Sequence, residues 1–235
     1  MATSWAEIEA AAMLPIDDLR LQEQLEISPA LFYRRMALYV ERAVPMLSRP
    51  PELLNTLNSS MTKPLFGDYM WTSTEESTTQ ETAVATGLTG FDLCSCIIVQ
   101  LMDDGRVLQT PYAVTYDKET GEVVFPVQTS AGISYELDFY TDGSFADLSD
   151  AVIQLFASAM SVIWDERFSS AWLQRTPKIN DSSFSSVNEA NWTEKTSQAH
   201  LRKVQAFHEE LKHYEQLCAY RKTVTDNNVS GVTLI

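Results

Sequence analysis

Residues 148–168 carry the amphipathic pattern that most constrains how this chain folds. The apolar residues recur at spacings of three and four, which places them on one broad face of a helix. They are Val152, Leu155, Phe156, Ala159, Met160, Ile163 and Trp164. Ser149 or Asp150 suits the N-cap, and Arg167 in the last turn suits the helix dipole. A face this wide needs cover from other elements, so we expect this helix to form the centre of a helical body.

Capping signals predict two helices before this centre. Ser4 and Glu7 match a capping box, and Ser28 followed by Pro29 marks a second helix start. Residues 16–27, which lie between these helices, are interpreted as a loop with a helical turn. The two helices are candidates to cover the apolar face of the central one.

A further apolar stripe lies near the C-terminus. Its members follow steps of three or four residues, as on one face of a helix. They are Leu201, Val204, Phe207, Leu211, Tyr214 and Cys218. This helix is predicted to begin between residues 186 and 193, after a loop-like stretch at 169–191.

Residues 61–147 have a different texture. Alternating apolar residues and polar turns predict about four antiparallel strands in a small sandwich or barrel. The strands are placed at residues 91–102, 106–116, 122–128 and 133–140, with turns at 103–105 and 117–121. Residues 61–90 have a looser pattern, and residues 72–79 are predicted to be a loop or an extended arm.

The predicted fold class is therefore α+β, a helical bundle body with an inserted small antiparallel β module. The body is assigned to residues 1–60 and 148–222, and the acidic β-rich insertion to residues 61–147. Residues 223–235 form a C-terminal tail that is polar except for its apolar end.

The negative charge of the chain is concentrated in the insertion. The formal net charge is −15, and residues 61–147 contribute −11 of it, with 14 acidic and 3 basic residues. Residues 1–60 contribute −3 and residues 148–235 contribute −1. Such a surface repels nucleic acid, which disfavours a conventional role in binding DNA or RNA.

The sequence has no signal for a membrane or an oxidising compartment. No apolar run approaches the roughly 18 residues that span a bilayer, and the N-terminus lacks the pattern of a secretory signal. Cys94, Cys96 and Cys218 do not make a disulfide framework, so a reducing cytosol is the simpler origin.

Motifs for catalysis are weak, and we expect no enzyme, no cofactor and no metal. Cys94 and Cys96 share one face of a strand, but a structural metal site needs about four such ligands. The histidines lie on a distant helix without ligand spacing: His200, His208 and His213. A Cys–His dyad has no supporting local motif, and 8 glycines include no phosphate-binding loop. Acidic pairs are better explained as turns and solvated helix faces.

Aromatic and apolar residues in irregular segments are the candidates for binding a partner. Phe66 and Trp71 lie in the looser stretch, and aromatic side chains are favoured at interfaces when exposed. The apolar end of the tail is the second candidate. It consists of Val229, Val232, Leu234 and Ile235.

Several stretches resemble an uncharacterised family of tailed-bacteriophage proteins encoded among virion structural genes. The stretches are residues 28–33, 43–45, 49–51, 138–143, 164–168 and 187–191. The similarity runs from near the N-terminus to about Tyr220, and these motifs record packing rather than chemistry. Shorter relatives join the two helical parts directly, which agrees with the insertion.

The resemblance implies a head–tail connector, an adaptor or neck component that forms a homo-oligomeric ring beneath the portal. Its implied partners are itself and the portal and tail or neck proteins, with DNA only as passing cargo and no membrane. Its implied location is the virion, after assembly in the cytoplasm of the bacterial host. Such adaptors use a helical bundle as the ring body and extended tails to grip neighbours.

Other functions fit the same sequence. A capsid or tail decoration protein would expose the β module. A metal-dependent hydrolase or nuclease would require carboxylates of residues 61–147 to converge on a divalent cation. A cytosolic regulatory binding protein is the fourth alternative.

Overall fold

The computed structural model describes residues 2–73, 82–101, 107–126, 131–175 and 185–229. Side chains are described for these residues except 101, 167–175, 185–196 and 226–229. Helices and antiparallel sheets occur in separate parts of the chain, which confirms the α+β prediction.

The described residues contain six α-helices. They are α1 (Trp5–Ile16), α2 (Leu19–Ile27), α3 (Pro29–Ala43), α4 (Pro51–Ser60), α5 (Asp150–Arg175) and α6 (Ser185–Val229). A 3-10 turn, Val44–Met46, follows α3 directly.

Nine strands lie in the same described ranges. They are β1 (Thr3–Ser4), β2 (Leu65–Thr72), β3 (Thr82–Ala85), β4 (Leu93–Leu101), β5 (Val107–Tyr112), β6 (Thr115–Asp117), β7 (Glu122–Phe125), β8 (Ser134–Thr141) and β9 (Ser144–Phe145).

Both predicted helix starts are confirmed by their caps. The Ser4 hydroxyl accepts a hydrogen bond from the Glu7 N–H at 3.1 Å. The Ser28 hydroxyl accepts one from the Leu31 N–H at 3.4 Å. Each bond satisfies an N–H group that the first turn of a helix would otherwise leave unpaired.

The loop with a helical turn predicted at residues 16–27 is wrong in its extent, because a helix of 9 residues, α2, occupies most of that stretch. Asp17 takes a left-handed conformation, with φ of 44°, and so ends α1. The Asp18 carboxylate then accepts the Arg20 N–H at 2.9 Å and caps α2. Two adjacent aspartates thus separate two helices where the sequence suggested one irregular connection.

The centre of the helical core is α5, as predicted. It packs against α1, α3 and α6, and every residue of its predicted apolar face is buried. The loop predicted at 169–191 is wrong in part, since α5 continues to Arg175 and α6 begins at Ser185. No glycine or proline interrupts the sequence before Pro177, so nothing ends the helix earlier. Residues 176–184 lie outside the described ranges.

Two antiparallel sheets form the β module. Of the two predicted alternatives, a sandwich and a barrel, the module is a sandwich. The larger sheet has the order β2-β8-β4-β5 and the smaller one β3-β7-β6. Their facing side chains form one buried apolar cluster. The smaller sheet contributes Val84, Val123 and Phe125, and the larger sheet contributes Cys96, Tyr135, Leu137 and Phe139.

The prediction of a loose chain at residues 61–90 is wrong where β2 and β3 form. Every residue of β2 pairs with β8, from Leu65 opposite Thr141 to Thr72 opposite Ser134. These partners are more than 60 residues apart in the chain, so no local hairpin signal marks β2. Of the arm predicted at 72–79, Thr72 belongs to β2 and residues 74–79 lie outside the described ranges.

One of the two predicted turns falls within the described residues. The Gly121 N–H donates to the Asp117 carbonyl at 2.8 Å, which closes the turn predicted at 117–121. Gly121 has φ of 70°, a conformation that glycine adopts without strain. The turn predicted at 103–105 lies outside the described residues.

The β module meets the helical body along β8. Alternate residues of this strand face opposite sides, so Leu137 packs towards the smaller sheet whereas Asp138 and Tyr140 face α3. We call the contact zone between α1, α3 and the larger sheet the seam. Its polar and aromatic members are Glu9, Ser28, Tyr33, Ser95, Asp138, Tyr140 and Asp142.

Candidate functional site

Phe66 and Trp71, predicted as contact residues, lie on opposite faces of β2. The Phe66 ring packs on the helical side, 5.7 Å from the ring of Tyr140, with the Arg34 guanidinium 5.9 Å from its centroid. The Trp71 ring packs inside the sandwich, 4.8 Å from the Phe125 ring. Both side chains are half-buried. Both side chains therefore pack inside the protein itself. Their contact with a partner stays a prediction.

The C-terminal candidates are not brought near these aromatics by any described contact. Val229 is the last residue of α6, so the first part of the predicted tail, residues 223–229, is helical. The Val229 side chain lies outside the described part of the chain, as do Val232, Leu234 and Ile235.

The first half of the seam contains a fully buried carboxyl group that the sequence analysis did not single out. Glu9 has no exposed surface, and neither carboxyl oxygen has a hydrogen-bond partner among the described residues. Burial raises the pKa of Glu9 well above its usual range, and the neighbouring charge of Asp142 raises it further. Burial without a hydrogen-bond partner thus favours the protonated, neutral form of Glu9.

Asp142, which neighbours Glu9, is held by two donors. The Tyr140 hydroxyl donates to one carboxylate oxygen at 2.7 Å, and the Ala6 N–H at the start of α1 donates to the other at 3.4 Å. The ring of Tyr33 stacks on that of Tyr140 at 5.0 Å. Burial raises the pKa of both tyrosines, so both hydroxyls stay protonated at neutral pH.

The second half of the seam lies where α3 begins on the larger sheet. The Ser28 hydroxyl donates to the Asp138 carboxylate at 3.4 Å, and the Ala30 N–H donates to the Ser95 hydroxyl at 3.0 Å. Burial raises the pKa of Asp138 to about 6, and the charge of Glu136 adds to the effect. This arrangement fixes α3 on the sheet and gives the seam a carboxyl group that titrates slightly below neutral pH.

The two cysteines of β4 are chemically quiet. Burial raises the pKa of Cys94 and of Cys96 to about 12, so both remain thiols near neutral pH. Within the described ranges, no group of three or more His, Cys, Asp or Glu residues is placed to hold a metal ion. The acidic residues at 75, 76, 81, 103 and 104 lie outside those ranges.

Helix α6 leaves several apolar side chains exposed on either side of its contact with the body. In the part with described side chains, residues 197–225, Phe207 and Leu211 are the buried apolar residues. Exposed apolar side chains lie before and after this contact. They are Leu201, Leu217, Tyr220 and Val224.

A groove of about 820 Å³ separates the end of α6 from the body. Its walls are the beginning of α4, residues 147–152 at the beginning of α5, and residues 214–222 of α6. Pro50, Leu53 and Val152 are among its apolar lining residues. Its charged lining residues are Glu52, Asp147, Glu215 and Lys222. Apolar grooves with a charged edge are typical of sites that bind a helix or a peptide.

No protein-family model, curated protein or solved structure matches the chain. In the described part of the chain, no helix combines the length and the apolar character needed to cross a bilayer. Function is therefore inferred from the sequence and from the geometry of the described residues.

Proposed function

We propose that this chain is a non-enzymatic assembly protein of a tailed-bacteriophage virion, a head–tail connector component that forms a ring between portal and tail. The observation that carries the proposal is α6. This helix has 45 residues, about 68 Å at 1.5 Å per residue, and much of its described apolar surface is unburied. Helices that expose apolar side chains in this way are typical of protein–protein contact.

The remainder of the fold supports a rigid building block. The apolar core around α5 and the core of the sandwich are joined along the seam by buried hydrogen bonds and stacked rings. A component of a ring must transmit load without changing shape, and close-packed cores serve that purpose. Residues 28–33 and 138–143, two of the stretches that resemble the phage family, lie along this seam.

The charge of the β module supports a role beside DNA rather than bound to it. Residues 61–147 carry a net charge of −11. A surface of this sign facing a channel would repel passing DNA and prevent it from sticking. DNA is accordingly proposed as cargo, and the portal and the tail or neck proteins as partners.

A capsid or tail decoration protein is the second candidate, and the edge strand β5 favours it. Among the described strands, β5 pairs with β4 alone, and Val107 and Leu108 are exposed. An exposed edge strand can pair with an extended segment of another protein. A decoration protein would use such an edge to attach to a capsid or tail surface.

Deletion of the gene from the producing phage distinguishes the two candidates. A connector is expected to leave DNA-containing heads and separate, complete tails in electron micrographs, and expression of the wild-type chain from a plasmid should restore joined particles. A decoration protein would leave head and tail joined. Joined, infectious particles without the protein would therefore contradict the connector proposal.

A further inference from the structure

The C-terminal part of α6 has two faces of different chemistry. Tyr214, Cys218 and Lys222 line the groove described above. An apolar stripe on another face consists of Leu217, Tyr220 and Val224, which are 42%, 68% and 39% exposed. At 3.6 residues per turn, the stripe and the groove-lining set point about 125° apart around the helix.

The charges of these two faces are complementary. The groove presents Glu52 and Glu215, with Lys222 as the lone base among its described lining residues. Arg221 is exposed at the edge of the stripe, between Leu217 and the groove-lining Tyr214 around the helix. An apolar surface flanked by a base therefore matches an apolar groove flanked by carboxylates.

The stripe cannot occupy the groove of its own molecule. The stripe and one wall of the groove belong to the same continuous helix, and the stripe points away from the α6 residues that form this wall. A second copy of the chain supplies the matching face at the same stoichiometry and without further components. Tyr220 at the centre of the stripe is a residue type that often dominates interface energies.

We propose that the stripe Leu217–Tyr220–Val224 of one copy docks into the groove between α4, α5 and α6 of the next copy, head to tail. This inference rests on the proposed function, which requires the chain to oligomerise. The inference adds the surfaces through which the copies make contact. The Arg221 side chain of the docking helix pairs with the carboxylates of Glu52 and Glu215.

The position of the two faces determines the kind of assembly. Each copy uses its stripe for one neighbour and its groove for another, so the contact is heterologous rather than two-fold symmetric. Repetition of a heterologous contact closes into a ring when the rotation per copy allows closure. The contact proposed here is thus the kind that a ring requires.

The test compares three variants of the full chain by native mass spectrometry and sedimentation velocity. The stripe variant carries Leu217→Ser and Tyr220→Ser, and the groove variant carries Glu52→Lys and Glu215→Lys. Leu201→Ser on the same helix is the matched control, because Leu201 is exposed and lies far from both faces. Circular dichroism and the free energy of unfolding establish that each variant is folded.

The wild-type chain and the control are expected to form closed oligomers. The stripe variant and the groove variant should each associate at least about tenfold more weakly, because each loses central contact residues. A mixture of the stripe and groove variants should form one-to-one heterodimers and nothing larger, since each pair retains one intact contact. A fourth variant adds Arg221→Glu to the groove variant, and it should associate again because the new carboxylate pairs with the two introduced lysines.

A wild-type chain that stays monomeric at high concentration would overturn the inference, as would oligomers that persist in the stripe variant. Neither result touches the connector role, which the deletion phage tests independently. The opposite outcome is also distinguishable. If the oligomers depend on the stripe but the deletion phage still makes joined particles, the docking contact stands and the connector role is contradicted.

Discussion

Glu9 of α1 is fully buried beside Asp142 of the chain segment after β8, and the charge of Asp142 adds to burial in raising the pKa of Glu9. This relationship joins the helical body to the β module across the seam. Because the folded state holds a proton on Glu9 that the unfolded chain releases, stability depends on pH. The stability that protonated Glu9 contributes is fully present below its ordinary pKa of 4.5. It is lost as pH rises through the raised pKa of Glu9 in the folded protein.

Replacing Glu9 with glutamine should remove this pH dependence. The quantity of interest is the free energy of unfolding of the wild type minus that of Glu9→Gln. We expect this difference to fall as pH rises above about 4.5, by at most about 1.4 kcal/mol per pH unit. Urea unfolding from pH 5 to pH 8 measures the difference. Glu7→Gln on the exposed side of the same helix is the control, and parallel curves for Glu9→Gln and wild type would refute the prediction.

Asp138 predicts a second, separate pH effect. The pKa of Asp138 is raised from an ordinary 3.8 to about 6 in the folded protein. The stability contributed by the protonated carboxyl group is therefore lost as pH rises from 3.8 to about 6. Asp138→Asn keeps the shape of the side chain and removes the charge. The variant should be more stable than wild type at pH 7 and should lose that advantage near pH 4. A constant difference across this range would mean that Asp138 does not titrate as described.

Truncation of the α5 core should cost more than the seam substitutions Glu9→Gln and Asp138→Asn. Phe156 is fully buried in the helical cluster, so Phe156→Ala is expected to lower the free energy of unfolding by about 3–5 kcal/mol. Gln154→Ala, on the exposed side of the same helix, should change it by less than about 0.5 kcal/mol. Chemical denaturation of both variants decides the point, and similar losses for the two would contradict the central place of α5.

Removal of the C-terminal residues tests the predicted partner-binding tail. Deleting residues 229–235 takes away Val229, Val232, Leu234 and Ile235 beyond the last described contact of α6 with the body. The free energy of unfolding should be unchanged, and assembly with the partner should weaken. Thermal unfolding and incorporation into particles measure the two effects. A truncated chain that unfolds, or that is incorporated normally, refutes the role of the tail.

Local signals in the sequence predicted the elements whose causes are local. The caps at Ser4 and Ser28 and the apolar face from Val152 to Trp164 correspond to α1, α3 and α5, because each pattern lies within one helix. The turn closed by Gly121 is local in the same sense.

Non-local contacts explain what the sequence did not predict. Strand β2 forms because β8 binds it from more than 60 residues away, and its own residues carry no turn signal. Glu9 reads as a surface glutamate, although its spacing of four from Trp5 and three from Ala12 places it on the buried face. The groove likewise depends on α4, α5 and α6 meeting in space.

The measurement that tests the central claim most directly is the copy number of the chain in purified, DNA-filled particles of the producing phage, by quantitative mass spectrometry. A connector role predicts one small, fixed number of copies per particle, equal to the number of copies in one ring. A number that scales with the capsid or tail surface, or the absence of the protein from particles, would contradict it.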